Sequence, residues 1–404
     1  MFVSWSANIV CALLPRFRLA TAARGRSELL RAPVAIAPEP GGAQQVGEAS
    51  PAAEAFGVHE GMRLGEALAR CPQLLLVPGD PAGIADRWEG VLVALESVGA
   101  AVEPERPGLV YFDARGLLRL YGGGQSGVLS AARRALGQPA RFGVAPTRFA
   151  ALAAAHRARV RRPAIIAGGN RQAGEFLASQ PVTLLRERAE LAQLPEALER
   201  LGISTLGELA QLSAAAVADR FGTVGLRAHE LARGGDAPLR PRAPSVVVRE
   251  SVELPEASCG FQLERALQLL IDRLLARADR RGRSFRSVAL SAVLVERGGT
   301  WREQMTFREA LSDPVRMRLA LAPRLALIPA PAQVLRLAVE RFGPPVAQAR
   351  GMLEEPADAR RDRLREAVRQ TRAAAGAEAA LRVLTVDPGS RLPERRAVLT
   401  PFEA

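Results

Sequence analysis

The chain predicts an α+β fold divided among several domains, and three observations carry that prediction. Its 404 residues exceed one ordinary domain and suit two to four. Short apolar runs of strand length alternate with helical patterns over the first 165 residues, and short helices then dominate to Gly234. Beyond the Pro/Arg-rich stretch PLRPRAP (238–244), the pattern resumes as β-α-β-β-α-β, the order of a compact two-layer unit.

The elements follow in order. Residues 7–14 are a continuous apolar run closed by Pro15, and 33–37 (PVAIA) a second short strand before a Pro/Gly turn. From 51 to 71 the pattern is helical, broken at 57–61 by two glycines, and 81–97 reads as an amphipathic helix. Residues 109–113 and 117–121 are expected as strands around a turn at Arg115 and Gly116. Gly122–Gly124 is expected as a loop, since no Lys-Ser/Thr follows to make it a nucleotide-binding loop. Residues 127–136 and 146–157 are expected as helices. After the linker come a strand (246–254), a helix (263–277), strands at 287–296 and 301–307, a helix (313–322) and a strand (333–340). A polar tail follows, with one helix at 357–375.

Composition narrows the function. The formal charge is +13, with a pI near 11.2, and all 55 basic residues are arginine. Exclusive arginine use fits a GC-rich genome. It also supplies a bidentate phosphate ligand that never deprotonates, so a polyanion partner is favoured, nucleic acid ahead of membrane. Cys11, Cys71 and Cys259 are odd in number and scattered, as are His59, His156 and His229. Neither set suggests a disulfide framework, a metal site or a catalytic triad, which suits a reducing cytoplasm. The run at 9–14 is too short to span a bilayer.

Several motifs in one order then carry a resemblance. VEPERPGLVYFDARG (102–116) is similar to the strand–turn–strand VExYSxDEAYLDxTG of the Y-family (translesion) DNA polymerases. AEAFGVHEGMRLGEALARCP (53–72) resembles their fingers, GVAPTRF (143–149) their palm, and LGISTLGELA (201–210) with ELARGGD (230–236) their thumb. The likeness covers about residues 7–343. It implies a palm at 1–165 with fingers inserted at about 22–80, a helical thumb at 166–243 and a βαββαβ little finger at 244–343. The tail, 344–404, resembles the extension of the ImuB-like branch and would be an interaction segment.

Against that pattern, the chemistry is missing. The family's metal-binding carboxylates fall on Leu13, Gly108 and Leu109, and a further motif aspartate on Pro15. Nucleotidyl transfer needs two metal ions about 4 Å apart on oxygen ligands. The tyrosine and arginine of the fingers fall on Pro51 and Glu54, and a palm lysine on Leu152, so only Arg148 keeps a positive charge there. The resemblance therefore implies a polymerase scaffold without an enzyme's metals or cofactor. Such a protein would bind primer–template or damaged DNA and act as a hub in translesion synthesis, DNA repair and induced mutagenesis. Two other readings stay open: an active, divergent lesion-bypass polymerase using Glu103, Glu105 or Asp113, and an assembly protein independent of DNA.

Candidate contacts follow from the same resemblance. Arg148 faces the nucleotide or DNA in the palm. Gly202, Thr205 and Gly207 lie at a helix-hairpin-helix-like element that binds phosphates through helix-start amides, with a packing-only helix pair as the alternative. Arg280, Arg281, Arg283 and Arg286 (in RADRRGRSFR) lie where a little finger runs along duplex phosphates, with a solvated helix end as the alternative. RARVRR (157–162) carries a similar reading. Gln348, Met352 and Leu353 stand where ImuB-like proteins carry a sliding-clamp peptide, with Gly351 at the expected anchor. A linker is the alternative there. A RecA-like accessory protein and an error-prone replicative-type polymerase are the further partners that the branch implies. Leu364, Val368 and Thr371 are expected as the packing face of the tail helix.

Overall fold

The computed structural model describes residues 8–23, 26, 28–243, 248–295, 299–345 and 357–402. The side chains of 255–257, 344–345, 357–363, 373–374 and 377 lie outside that description. The chain divides into two compact units, one of residues 1–80 and 84–245, the other of 81–83 and 246–404. Among the described residues no helix is long and apolar enough to cross a membrane.

The first unit contains β1 (Ile9–Leu13), α1 (Phe17–Ala22), β2 (Val34–Ile36), α2 (Pro51–Glu54), α3 (Leu64–Arg70), β3 (Leu75–Val77), α4 (Pro81–Ser97), β4 (Val102–Arg106), β5 (Leu109–Asp113), α5 (Gln125–Leu136), β6 (Arg141–Ala145), α6 (Arg148–Arg157), β7 (Ala164–Ile165), α7 (Asn170–Leu177), α8 (Leu194–Glu199), α9 (Leu206–Gln211) and α10 (Ala214–Ala232). Its main sheet has the order β4-β5-β1-β6-β7, with β1 central. The period of two sorts β1 and β5 onto two cores. Val10, Ala12, Leu14, Val110 and Phe112 pack with α4 and α5 residues such as Leu92 and Leu129. Cys11, Leu13, Leu109 and Tyr111 pack on the other face with Phe149 of α6 and with Leu177, Leu206 and Leu231 of the following helices. Residues 149–155 are all buried, which is why α6 carries apolar residues on every side. A third, small core from Ala35 to Leu74 surrounds the parallel pair β2–β3.

Several elements differ from expectation. Residues 117–121 are a 3-10 turn rather than a strand. Leu117 is buried, the Tyr121 hydroxyl donates to the Val98 carbonyl at 3.0 Å, and Gly122 at φ 81° ends the turn. The short strands β3 and β6 had no alternation to mark them; β6 is buried on both faces, flanked by β1 and β7. The stretch 238–243 is a strap rather than a free linker. The Arg242 amide donates to the Val102 carbonyl at 2.8 Å, and its guanidinium pairs with Glu89 at 2.8 Å and Glu96 at 2.7 Å.

The second unit contains β8 (Arg249–Ser258), α11 (Phe261–Ala276), β9 (Arg283–Leu294), β10 (Thr300–Leu311), α12 (Pro314–Leu325), β11 (Ala332–Pro345), α13 (Ala357–Ala375), β12 (Leu381–Thr385), α14 (Pro393–Arg396) and β13 (Ala397–Pro401). The antiparallel sheet has the order β10-β9-β11-β8. One face, with Phe285, Val288, Leu290, Leu335 and Leu337, packs on Leu267, Ile271 and Leu321 of α11 and α12. Asp313 caps α12 by accepting from the Arg316 amide at 2.8 Å, next to Pro314 at the first helical position. The tail ends in the hairpin β12–β13, which the sequence reading did not anticipate.

Gly143 shows how tightly α6 seats on the first sheet. A Cβ there would lie 2.1 Å from the Ala151 carbonyl oxygen and 2.3 Å from the Ala155 nitrogen. Gly143→Ala is expected to destabilise by more than the ~1–3 kcal/mol of ordinary overpacking, because backbone must move. Urea unfolding of the variant measures it.

Candidate functional site

The place where the family pattern needs carboxylates is an apolar junction. Leu13 pairs with Leu109 across β1 and β5, and the Leu14 amide donates to the Gly108 carbonyl at 2.8 Å. Leu109 is fully buried and Leu13 nearly so, in the core that holds Cys11, Tyr111 and Phe149. Gly108 sits in the β4–β5 turn at φ 91°, where side chains are disfavoured. A Cβ at 108 would lie 2.8 Å from the Phe17 Cβ and 3.0 Å from the Leu14 carbonyl oxygen. A carboxylate at these positions would lose its water without gaining a partner. Burial also drives the Cys11 thiol upward, so it stays neutral. Among the described residues no group of three or more His, Cys, Asp or Glu side chains could hold a metal ion.

The acids Asp236, Glu103, Glu105 and Asp113 are bound by arginine. Asp236 has no exposed side-chain surface. Its carboxylate meets Arg227 at 2.6 Å, Arg188 at 3.2 Å and Arg148 at 3.4 Å. It also accepts from the amides of Phe149 at 3.0 Å and Ala237 at 2.8 Å. Glu103 pairs with Arg148, and Glu105 with Arg188 at 3.1 Å. The Arg188 guanidinium also lies 5.9 Å from the centre of the Tyr111 ring. Asp113 takes both a backbone and a guanidinium bond from Arg115, at 2.9 Å and 2.6 Å. Arg148 is therefore mostly buried in an ion-pair network and not presented as an open phosphate ligand. Asp236 went unnoticed in the sequence as a site residue. Its signal was its place as the last residue of the thumb-like motif ELARGGD, directly after the Gly-Gly that ends a helix.

The small lobe shows the same pairing. Glu54 pairs with Arg16, while Arg18 pairs with Glu48 at 3.2 Å and Glu60 at 2.5 Å. Ser50 caps α2 ahead of Pro51. Leu152 is fully buried, so a charged side chain at that position would lie in the apolar core.

The helix start at 205 is satisfied from within. Thr205 accepts from the Glu208 amide at 3.2 Å, and the Glu208 carboxylate accepts from the amides of Ser204 at 2.7 Å and Thr205 at 3.0 Å. The Gly207 amide donates to the Ala178 carbonyl at 3.0 Å, and the Gly202 amide to the Glu199 carbonyl at 2.9 Å. The Glu208 carboxylate thus takes the Ser204 and Thr205 amides that a helix-start phosphate would use. Gly207 lies against Ala178, where a Cβ would be 2.7 Å from the carbonyl oxygen.

The four arginines at the start of β9 separate. Arg280 is buried, 1% exposed, and joined to Glu366 of α13. Arg283 stacks on Phe342 at 3.8 Å, and Arg286 donates to the Arg308 carbonyl. Arg281 is exposed, at φ 49°. The sheet face away from α11 and α12 carries cations the sequence reading missed. By register, Arg302 and Arg336 flank Ser291, Arg341 lies opposite Ser287, and Arg249 opposite Ala338. Along β9 that face carries Ser287, Ala289 and Ser291, all buried, and Arg302 pairs with Glu340 at 2.5 Å. In the first unit, Arg157, Arg159, Arg161 and Arg162 are all exposed around a tight turn closed by mutual Arg159–Arg162 backbone bonds of 3.0 Å. Gln348, Met352 and Leu353 lie outside the described residues. The expected apolar face of α13 is not its packing face: Glu366 is buried and Leu364 is 49% exposed.

Parts of the chain are similar to known proteins. Residues 15–156 match the impB/mucB/samB family, a Y-family polymerase domain, within this mixed α+β chain. The chain is 28% identical over 277 residues to a DNA polymerase IV of Ralstonia nicotianae, covering 65% of this chain and 74% of that protein. It is 27% identical over 270 residues to a DNA polymerase IV of Dehalococcoides mccartyi, covering 66% and 68%. With a DNA polymerase IV of Pseudomonas putida the identity is 27% over 324 residues, covering 74% and 90%.

Two outcomes follow from the ion pairs. Asp236→Ala takes one carboxylate from three guanidinia, each of which keeps a second in Glu103, Glu105 or Glu230, and is expected to cost about 3 kcal/mol, the low end for breaking a buried pair, read by urea unfolding. Glu187 is the second case. Burial raises its carboxyl, but a 3.3 Å contact to His156 and the Arg106 ion pair outweigh it and bring the pKa from 4.5 down to about 2. A depressed carboxyl contributes stability that is full above about 4.5 and fades as the pH falls through about 2. Glu187→Gln should therefore flatten the loss of stability between pH 5 and 2, measured by denaturation at a series of pH values.

Proposed function

We propose that this chain is a Y-family polymerase-like protein that binds DNA without catalysing nucleotidyl transfer. The carrying observation is the junction of Leu13, Gly108 and Leu109, where carboxylates are replaced by a dry apolar contact and a glycine with no room for a side chain. Glu103, Glu105 and Asp113, the acids that would have to substitute, each hold an arginine. Any metal would have to break those pairs before it was bound.

In this reading the first unit supplies palm, fingers and thumb, and the second a little finger with an attached tail. DNA contact rests on phosphates. The exposed arginines of 157–162 and the exposed Arg249 and Arg341 are its carriers, so binding should be salt-dependent and indifferent to sequence. The protein's role is then to hold DNA and gather partners in translesion synthesis and damage-induced mutagenesis. A sliding clamp, a RecA-like accessory protein and an error-prone replicative-type polymerase are the partners proposed from the branch it resembles.

A second reading is supported by the relatives' names, since all three are DNA polymerase IV. It makes this chain an active lesion-bypass polymerase. Primer extension by the purified chain, with magnesium or manganese and all four deoxynucleotides, separates the two. No incorporation above background is expected. Robust template-directed incorporation, abolished by Glu103→Gln or Glu105→Gln, would establish the second reading.

A further inference from the structure

The tail helix is attached to the second unit in an unusual way. Among its described residues, α13 buries a charge and leaves its leucine outside. The Glu366 carboxylate joins Arg280, and also accepts from Arg369 at 2.9 Å and Gln370 at 3.0 Å. Around it, Arg369 donates to the Ser312 carbonyl at 2.7 Å, and Arg365 lies 3.7 Å from Asp313. Gly282, at φ 69°, admits Gln370 so closely that a Cβ there would be 2.1 Å from the amide nitrogen. Among the described side chains, the bonds that fix the attachment are therefore specific and polar. Polar contacts of this kind replace water contacts at little net gain, and a buried ion pair contributes little more than its desolvation costs. A helix held by such bonds belongs to the low-stability end of local opening.

The position of the helix matters as much as its weakness. It covers the end of the sheet where β9 begins at Arg283, β10 ends at Leu311 and β11 ends at Pro345. Exposed Arg281 is there, and so is Arg341 on the open face. Arg280 is the one member of that arginine run removed from solvent, and the group that removes it is a carboxylate from 86 residues away. A carboxylate bound to a guanidinium uses the same donor fork that a phosphate would.

We infer that α13 is a detachable cover: Glu366 stands in for a DNA phosphate on Arg280, and DNA and the tail helix compete for that arginine. The inference rests on the DNA-binding reading above and adds its regulation. Duplex DNA displaces α13, and an event that pulls on the tail uncovers one more phosphate ligand. The coupling is reciprocal, since whatever favours the undocked helix favours DNA by the same factor.

Two measurements on the full chain test it. The first uses the unaltered protein and trypsin. A freed 19-residue polar helix frays. Saturating random-sequence duplex at low salt should therefore speed cleavage at Arg365, Arg369 and Arg372 severalfold. Cleavage that is unchanged or slowed while DNA is bound overturns the inference. The second compares salt dependence by fluorescence anisotropy. Glu366→Ala should bind duplex severalfold more tightly, with the slope of log K against log salt steeper by about 0.9, one added phosphate contact. The double variant Arg280→Ala/Glu366→Ala should return to the parental slope. Equal slopes in parent and Glu366→Ala overturn the cover while leaving DNA binding intact. A chain that binds no duplex in any form overturns the DNA-binding reading and the cover with it.

Discussion

The first unit depends on one buried carboxylate. Asp236 lies beyond the last helix of the chain's helical stretch, yet it is bonded to Arg148 and the Phe149 amide at the start of α6. Through Arg188 it reaches the turn before α8, and through Arg148 and Arg188 it is tied to Glu103 and Glu105 on β4. An ionised group so deeply buried is tolerated only when its hydrogen-bonding capacity is filled, and here three guanidinia and two amides fill it. The same bonds bring the end of the helical stretch onto the edge strand of the sheet. The strap at 238–243, fastened through Arg242 to Glu89 and Glu96, extends the attachment.

That network also explains what becomes of the acids around the vacated junction. Where a metal centre would gather negative charge and balance it with cations, this chain balances Glu103, Glu105 and Asp236 with arginines in fixed positions. The adjoining junction of Leu13 and Leu109 then packs as ordinary core. The two features are compatible because neither needs water or an ion. The same economy recurs in the second unit, where Glu366 neutralises Arg280 out of solvent.

Much of the fold was legible because it follows from periodicity. The amphipathic and alanine-rich helices, the buried run at β1 and the β-α-β-β-α-β order each express a repeat of 3.6 or 2 with turn residues between them. Residues 117–121 failed that test, since Leu117, Leu118 and Tyr121 suit either a strand or a tight turn and the packing of Tyr121 on Val98 chose the turn. The tail hairpin failed for another reason. Val383, Leu384, Val398 and Leu399 are apolar and exposed together, so no alternation marked a buried side.

The sequence by itself determined that residues 13, 108 and 109 carry no carboxylate, that cationic charge is all arginine, and that the chain is built as sheet, helices and sheet again. These are statements about residue identity and local order, and no distant contact can alter them. Tertiary structure alone decided which arginines are free. Arg148, Arg188, Arg242 and Arg280 are as basic in sequence as the exposed Arg281. The first four meet acids 45 to 153 residues away, and the run at 280–286 divides into one buried pair, one stacked ring, one carbonyl contact and one exposed cation. The reason is electrostatic: a guanidinium's availability is set by the carboxylates within a few ångströms of it, and those neighbours come from segments that only the folded chain brings together.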